Sequence, residues 1–257
     1  MIDSTIDVVY EDNHVVVVNK PANTPSQEDE SKDLDMLSMV KAYIKVKYEK
    51  PGDVFIGLIH RLDRPAGGLM VFARTSKAAS RLSEQMRSRK ITKKYLAVVE
   101  GEVGSEPTDP SRAANPIVAA GLSGAANPVG SVRLEGYIEK NASTNKVAVY
   151  DIMKGESKFA ALSYVCLQKQ GGFSLVEVEL ETGRPHQIRA QMAHAGHALY
   201  GDQKYGHGRP GLQLALWSYE LAFEHPVTKV PLRFVSLPPL TQKPWQDFSV
   251  LTQIAPF

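Results

Sequence analysis

Cysteine is nearly absent from this chain. Cys166 is the only one in 257 residues, so no internal disulfide can form, and its setting, Tyr164-Val165-Cys166-Leu167, reads as strand core rather than as a reactive thiol. A reducing compartment fits, and the expected location is cytoplasmic. Long apolar runs are missing too: no stretch approaches the ~20 residues needed to cross a bilayer. The opening Met1-Ile2-Asp3-Ser4-Thr5-Ile6-Asp7 is acidic and lacks the basic and apolar regions of a signal peptide. No membrane partner is expected. Net charge is small, +2 from 30 Lys and Arg against 28 Asp and Glu, so global charge says little about partners. A compact metal signature is also lacking. His186, His194 and His197 lie close in sequence, with His207 downstream, but they match no usual zinc spacing and have no cysteine or acidic residue among them. No metal site is expected.

What is present is an uneven distribution of charge. Between Arg74 and Lys94 lie Arg74, Lys77, Arg81, Arg87, Arg89, Lys90, Lys93 and Lys94 against the single acid Glu84, while Glu28, Asp29, Glu30, Asp33 and Asp35 crowd an earlier stretch. Such a patchy field can steer a polyanion even when the whole chain is nearly neutral. Taken alone, a charge run reads more simply as a solvated helix face.

Hydrophobic residues make up 43% of the chain, enough for one sizeable core, and a single domain over residues 1–257 is expected. Ile6 to Tyr10 and Val15 to Val18 read as strands joined by a tight polar turn. Met36 to Tyr48 carries Leu37, Val40 and Ile44 at helical spacing. Leu69 to Ala73 reads as a buried strand. Thr75 then caps a helix over Ser76 to Arg89 with Ala79, Leu82 and Met86 on one stripe. Tyr95 to Val99 is a strand. Residues 104–130, rich in Gly, Pro, Ser, Ala and Asn, read as a long surface loop, either a substrate rim or plain disorder. Strands are expected at Lys146 to Ile152, Ala161 to Leu167 and Phe173 to Glu181. The last alternates, with Val176, Val178 and Leu180 on one face and Leu175, Glu177, Glu179 and Glu181 on the other, wet one. A helix follows Gly183, with Pro185 near its start and Gly196 past its end. Leu212 to Phe223 is a final strand region before a proline-rich tail. Strands outnumber helices without strict alternation, which predicts an α+β fold with a mixed, mostly antiparallel sheet and flanking helices.

Three stretches could carry chemistry. His60-Arg61-Leu62-Asp63 precedes Gly67-Gly68 and a buried strand, so Asp63 sits in a turn that a rigid element delivers. A carboxylate there reads as a nucleophile or base or as a turn cap, and the turn alone does not separate the two. In Lys93-Lys94-Tyr95, a tyrosine entering a strand beside two lysines suits a base and its phosphates, or a strand tyrosine with snorkelling lysines. In Thr182-Gly183-Arg184-Pro185-His186-Gln187-Ile188-Arg189, a glycine turn opening a helix brings two arginines to one anion-attracting corner.

Together these stretches resemble the RluA-type family of RNA pseudouridine synthases. The matching pieces, in order, are Val9-Tyr10-Glu11-Asp12-Asn13-His14 with Val17-Val18-Asn19-Lys20-Pro21-Ala22, then His60-Arg61-Leu62-Asp63 with Gly68-Leu69. Lys94-Tyr95-Leu96-Ala97 follows, then Thr182-Gly183-Arg184 with His186-Gln187-Ile188-Arg189, and Gly196-His197 with Gly201-Asp202 and Tyr205-Gly206. The resemblance implies a pseudouridine synthase fold, its sheet split around a central active-site cleft, and isomerisation of uridine in structured ribosomal or transfer RNA without metal or organic cofactor. Asp63 falls on the catalytic aspartate. Tyr95 falls on the active-site tyrosine that packs against the base and is a candidate to take the carbon-5 proton. Arg189 falls on the aspartate's basic partner, whose pairing would favour the ionised carboxylate. Arg61 falls on the arginine that fills the RNA stack after the uridine flips out. Leu216 falls on an aliphatic residue beneath the site. His60, Lys93, Lys94, Arg87, Arg89, Lys90 and Arg184 are expected to contact RNA. The chain departs from the family where hydroxyl residues often follow the aspartate, having Ala66 and Gly67; after Pro21, where Asn23-Thr24-Pro25-Ser26 stands; and at Trp217, where histidine is frequent. No separate RNA-binding domain is expected before residue 6, and a monomer is the simplest assembly. An RNA-binding module without catalysis is the rival reading.

Overall fold

The computed structural model describes residues 6–104, 130–141 and 143–253. Most of the stretch read as a surface loop, residues 104–130, lies outside the described residues. Two compact units divide the chain: residues 1–93 with 218–236, and residues 94–217 with 237–257.

In the first unit the apolar runs become strands. A hairpin joins β1 (Asp7–Glu11) to β2 (Val15–Lys20). Its turn closes because the Asp12 carboxylate accepts from the His14 and Val15 N–H groups, at 2.7 and 2.8 Å. β2 lies antiparallel to β4 (Gly67–Ala73) from Val15 opposite Ala73 to Lys20 opposite Gly68. The two-residue β3 (Gly57–Leu58) pairs with the end of β4. β10 (Leu216–Glu224), in this unit from Ser218 onward, follows β4 in the sheet, and β11 (Pro231–Val235) pairs with β10. All seven residues of β4 are buried, as an uninterrupted apolar run covered on both faces requires.

Helix α1 (Met36–Lys47) is capped by Asp35, which accepts from Ser38 N, and it buries Met36, Val40 and Ile44. Helix α2 (Ser76–Arg87) is capped by Thr75 as expected. It buries Ala78, Leu82 and Gln85, one position off the expected stripe, while Ala79 and Met86 stay at the margin. Ala78 and Leu82 pack on Val15, Val17, Leu69, Val71, Leu221 and Phe223. Gln85 is buried because its side chain bonds the backbone of Glu224 in both directions.

The second unit is an antiparallel series in the order β5 (Thr92–Glu100), β9 (Phe173–Leu180), β8 (Lys158–Gln170), β6 (Val132–Asn141) and β7 (Lys146–Tyr150), with β5 belonging here from Lys94. Helix α3 (Gln187–His194) covers Ile138, Val147 and Ala160 through Ala190. Gly196, at φ +87°, ends it. Every strand pair whose register is described is antiparallel. The α+β reading therefore holds.

Three differences from expectation have physical causes. β6 was not anticipated, because Gly136 interrupts its alternation; a Cβ there would stand 2.9 Å from the Tyr150 carbonyl, so the close strand approach requires glycine. β11 is likewise a strand inside the expected proline-rich tail. On β9 the face expected to be wet is only partly so. Glu177 is buried at 4% exposure, because the Lys94 ammonium lies 3.3 Å from its carboxylate in the neighbouring strand.

The tightest backbone packing in the first unit is at Gly68. Its φ is +109°, and a Cβ would meet the Ser218 backbone, 2.6 Å from its nitrogen. Gly68→Ala is expected to lower the unfolding free energy by about 3 kcal/mol or more, combining left-handed strain with backbone displacement. Urea denaturation monitored by circular dichroism reads this; a loss under about 0.5 kcal/mol would contradict the packing.

Candidate active site

The turn from His60 to Ala66 is fixed almost residue by residue. His60 Nε2 accepts from the Val71 N–H at 3.1 Å, tying the start of the turn to the middle of β4. Burial of the ring, with the Lys93 ammonium nearby, pushes the His60 pKa down to about 3, so the imidazole is neutral. Leu62 is held at both of its backbone groups by one side chain. Ser26 Oγ donates to the Leu62 carbonyl at 2.8 Å and accepts from the Leu62 N–H at 3.1 Å. The carbonyl of Arg64 accepts from Lys20 Nζ at 2.9 Å, and the Arg64 guanidinium pairs with Asp29 and Asp33 and bonds Ser31. The Ala66 N–H closes the turn on the Asp63 carbonyl at 3.0 Å. Between these anchors stand the two side chains that carry the expected chemistry. Arg61 is exposed and Asp63 half-buried.

Lys20 was quoted in the sequence reading without a role, and the structure gives it one. It is fully buried at the end of β2, and its ammonium donates to the carbonyls of Pro21, Thr24 and Arg64 at 3.0, 2.6 and 2.9 Å. Three donors meet three acceptors, which ties the Asn23-Thr24-Pro25-Ser26 loop to the aspartate turn. Burial pushes the Lys20 pKa down to about 7. The Asp63 carboxylate pulls it up, and the Arg64 guanidinium adds to the depression.

In the second unit, Tyr95 is buried at 6% exposure on β5, opposite Val178. The Thr182-Gly183-Arg184 turn is built around Gln187. Its Oε1 accepts from Thr182 Oγ1 and from the Arg184 N–H, at 2.8 and 3.0 Å, and its Nε2 donates to the Ala161 carbonyl at 2.9 Å. One turn further on, Arg189 is 6% exposed and makes a two-pronged pair with Asp202: Nε to Oδ2 and Nη2 to Oδ1, each 2.8 Å. Asp202 is 1% exposed, also accepts from the Lys204 and Tyr205 N–H groups, and is held below the usual carboxylate range by Arg189 and those bonds against the upward pull of burial. The Arg189 guanidinium lies 5.2 Å from the centre of the Tyr205 ring. Sequence reading quoted Asp202 and Tyr205 but missed this role; their spacing from Arg189 carries no local signal for it.

The expected RNA contacts fall into two groups. Arg87, Arg89, Lys90 and Arg184 are exposed. Arg87 pairs with Glu84, and Arg184 Nε bonds the Phe159 carbonyl at 3.1 Å. Lys93 is half-buried, and burial lowers its pKa. Lys94 and His60 are taken up inside the protein, one by Glu177 and the other by the Val71 N–H. Lys94 differs from the expectation because its ammonium is buried beside the Glu177 carboxylate, and His60 because its ring is bonded to the β4 backbone. Leu216 is buried at 5% exposure. Among the four histidines, His186 bonds Tyr205, His194 pairs with Asp151, and His197 and His207 share Glu100, one through its backbone carbonyl and the other through its carboxylate.

Residues 14–194 match the sequence pattern of the RNA pseudouridylate synthase family. The chain belongs to this family. Among curated relatives, it is 30% identical over 228 residues to the uncharacterized RNA pseudouridine synthase YhcT of Bacillus subtilis, covering 87% of the chain and 65% of the relative. It is 28% identical to the ribosomal large subunit pseudouridine synthase D of Zymomonas mobilis, covering 88% and 67%. The tRNA pseudouridine synthase C of Haemophilus ducreyi is 29% identical, with 94% and 93% covered. The chain thus spans about two thirds of the length of the first two. Among solved structures, human RNA pseudouridylate synthase domain containing 1 superposes with a TM-score of 0.66 at 21% identity, covering 92% of this chain and 84% of that one. The fold is that of the pseudouridylate synthases.

Lys20 leads to a pH-dependent expectation. An unfolded lysine keeps its proton up to its ordinary value of 10.5, whereas the folded one releases it above about 7. The unfolded state therefore binds more protons between those limits, and this group makes stability rise with pH across the window. Lys20→Met lacks the group. The stability difference between wild type and variant should grow in favour of wild type by up to about 1.4 kcal/mol per pH unit above pH 7. Urea unfolding of both proteins at pH 7, 8 and 9 measures it, and a constant difference would refute the depressed ammonium.

Proposed function

We propose that this protein isomerises uridine to pseudouridine in structured ribosomal or transfer RNA, with Asp63 as the catalytic aspartate. The observation that carries the reading is the turn that holds Asp63. Backbone anchors on both sides fix the chain that carries Arg61 and Asp63. A side chain delivered this rigidly suits a reaction that depends on placement. Family membership supports the reaction class, and the relatives named as ribosomal and transfer RNA pseudouridine synthases support those two substrate classes.

The reaction needs no redox partner. The bond from ribose to nitrogen 1 breaks, the base turns, the ribose is joined to carbon 5, and the proton lost from carbon 5 is matched by one gained at nitrogen 1. Asp63 must be ionised for this, and Arg189 serves as its basic partner. Tyr95 packs against the base, with Leu216 beneath the site. Arg61 fills the stack vacated by the flipped uridine, offsetting an unstacking cost of a few kcal/mol. Arg87, Arg89, Lys90 and Arg184 meet phosphates without reading sequence.

Asp63→Asn changes charge but hardly shape. It is expected to reduce pseudouridine formation by roughly 10³-fold or more while RNA affinity stays within about threefold. Mass-spectrometric mapping of RNA from cells with and without the gene supplies the substrate for the assay. Retained product formation in the variant would remove Asp63 from the chemistry. RNA binding without product in the wild type would favour the non-catalytic reading.

Arg61→Ala tests a different link. Turnover on folded RNA should fall by about 10- to 100-fold, with much less effect on a short unpaired substrate, because only the former pays for unstacking. Equal effects on both substrates would contradict the stacking role.

A further inference from the structure

We propose that Asp202 is a positioning residue for Arg189. Together with the Tyr205 ring, it holds the guanidinium in one orientation for the isomerisation of uridine. This inference rests on the role given to Arg189 under Proposed function.

The geometry is that of a closed cycle. An arginine side chain is long and has many rotamers, so a buried guanidinium needs neighbours that select one of them. Here Asp202 takes two nitrogens of the same fork at equal distances, Nε and Nη2 at 2.8 Å each. That fixes both the position of the guanidinium and the plane in which it lies. It also fixes where the third nitrogen, Nη1, is aimed. Asp202 is itself immobilised by the Lys204 and Tyr205 N–H groups, at 2.8 and 3.1 Å on Oδ1. The Tyr205 ring lies 5.2 Å from the guanidinium carbon. Its hydroxyl is held in turn by the Val147 N–H at 2.8 Å and by His186 Nδ1 at 2.7 Å. His186, in a left-handed conformation at φ +53°, is the residue from which α3 starts, and Arg189 lies on the first turn of that helix. The carboxylate, the ring and the helix start therefore constrain one side chain from three directions.

A purely structural account of Asp202 is the alternative. Buried ion pairs, however, often add little net stability over well-packed apolar residues of the same volume. Their documented use is to specify one arrangement among several. That use is what a guanidinium acting as partner to a reacting carboxylate would require.

The two accounts differ in what limits turnover. If Asp202 orients Arg189, Asp202→Asn should lower kcat by about 10- to 100-fold per folded molecule. The KM for RNA should stay within about twofold, because remote phosphate contacts are untouched. Asp202→Glu, which restores the charge with a misplaced fork, should recover only part of the loss. Turnover is measured well below each variant's melting midpoint, with the folded fraction taken from circular dichroism. If Asp202→Asn fails to fold, Tyr205→Leu takes its place. It leaves the ion pair and removes the ring beside the guanidinium together with the hydroxyl's bonds to Val147 and His186, and the same fall in kcat at constant KM is expected. Wild-type kcat per folded molecule in the folded variant would overturn the proposal. Arg189→Ala separates this failure from failure of the underlying reading. If Arg189→Ala retains wild-type turnover, the role of Arg189 falls. If Arg189→Ala is inactive while Asp202→Asn turns over normally, only the positioning role falls.

Discussion

Everything assigned to the aspartate turn depends on the way Ser26 holds Leu62. One hydroxyl donates to the carbonyl and accepts from the N–H of the same residue, at 2.8 and 3.1 Å, inside the protein. A buried turn outside regular secondary structure has backbone groups that must find partners. Here Ser26 and Lys20 supply them from side chains, while the His60 ring ties the start of the turn to the β4 backbone. This arrangement converts a loop into a rigid support. Because Leu62 and Arg64 are held by their backbones, the stretch of chain that carries the side chains at 61 and 63 is fixed in place. The loop after Pro21, where the chain departs from its family's usual pattern, is therefore part of the support and not a variable surface. Its Thr24 carbonyl and Ser26 hydroxyl both bear on the turn.

The same accounting explains the other departure. Family members often carry hydroxyl residues where this chain has Ala66 and Gly67. Both residues are buried, and the Ala66 N–H is already satisfied by the Asp63 carbonyl. The glycine that follows, Gly68, is required because β4 passes against Ser218 too closely for any side chain. Ser218 Oγ then bonds the Leu69 carbonyl at 3.1 Å, closing the contact.

Much of this was legible in the sequence where a short range of residues fixed the outcome. The polar turn at Asp12, the Thr75 cap, the buried run of β4 and the Gly196 helix end are all local devices, and each appears where the residues place it. What was not legible depends on partners distant in sequence. Glu177 looked like a member of a wet strand face because the pattern of β9 contains no hint of Lys94, 83 residues earlier. Gln85 went unmarked because nothing nearby announces the Glu224 backbone. Asp202 is the clearest case at the candidate site. A sequence shows an acid within a Gly-Asp pair, but only the fold shows which arginine it faces.

The charge of the basic segment shows how far composition can mislead in the other direction. Read along the chain, Arg74 to Lys94 is a nearly unbroken cationic run. In the fold, the Arg74 guanidinium lies 4.4 Å from the centre of the Tyr48 ring, Arg81 bonds the Pro226 carbonyl, Arg87 pairs with Glu84, and Lys94 is buried with Glu177. The cations differ in what they have left to offer a polyanion. An exposed surface pair such as Arg87 with Glu84 is worth little, roughly 0–1 kcal/mol, so a phosphate can compete for that arginine. A buried pair such as Lys94 with Glu177 cannot be opened without leaving a carboxylate uncompensated, which costs about 3–5 kcal/mol. The electrostatic footprint available to RNA is therefore set by burial more than by sequence count. Of this run, the exposed Lys77, Arg87, Arg89 and Lys90 are the cations expected to contribute most to a salt-dependent phosphate contact.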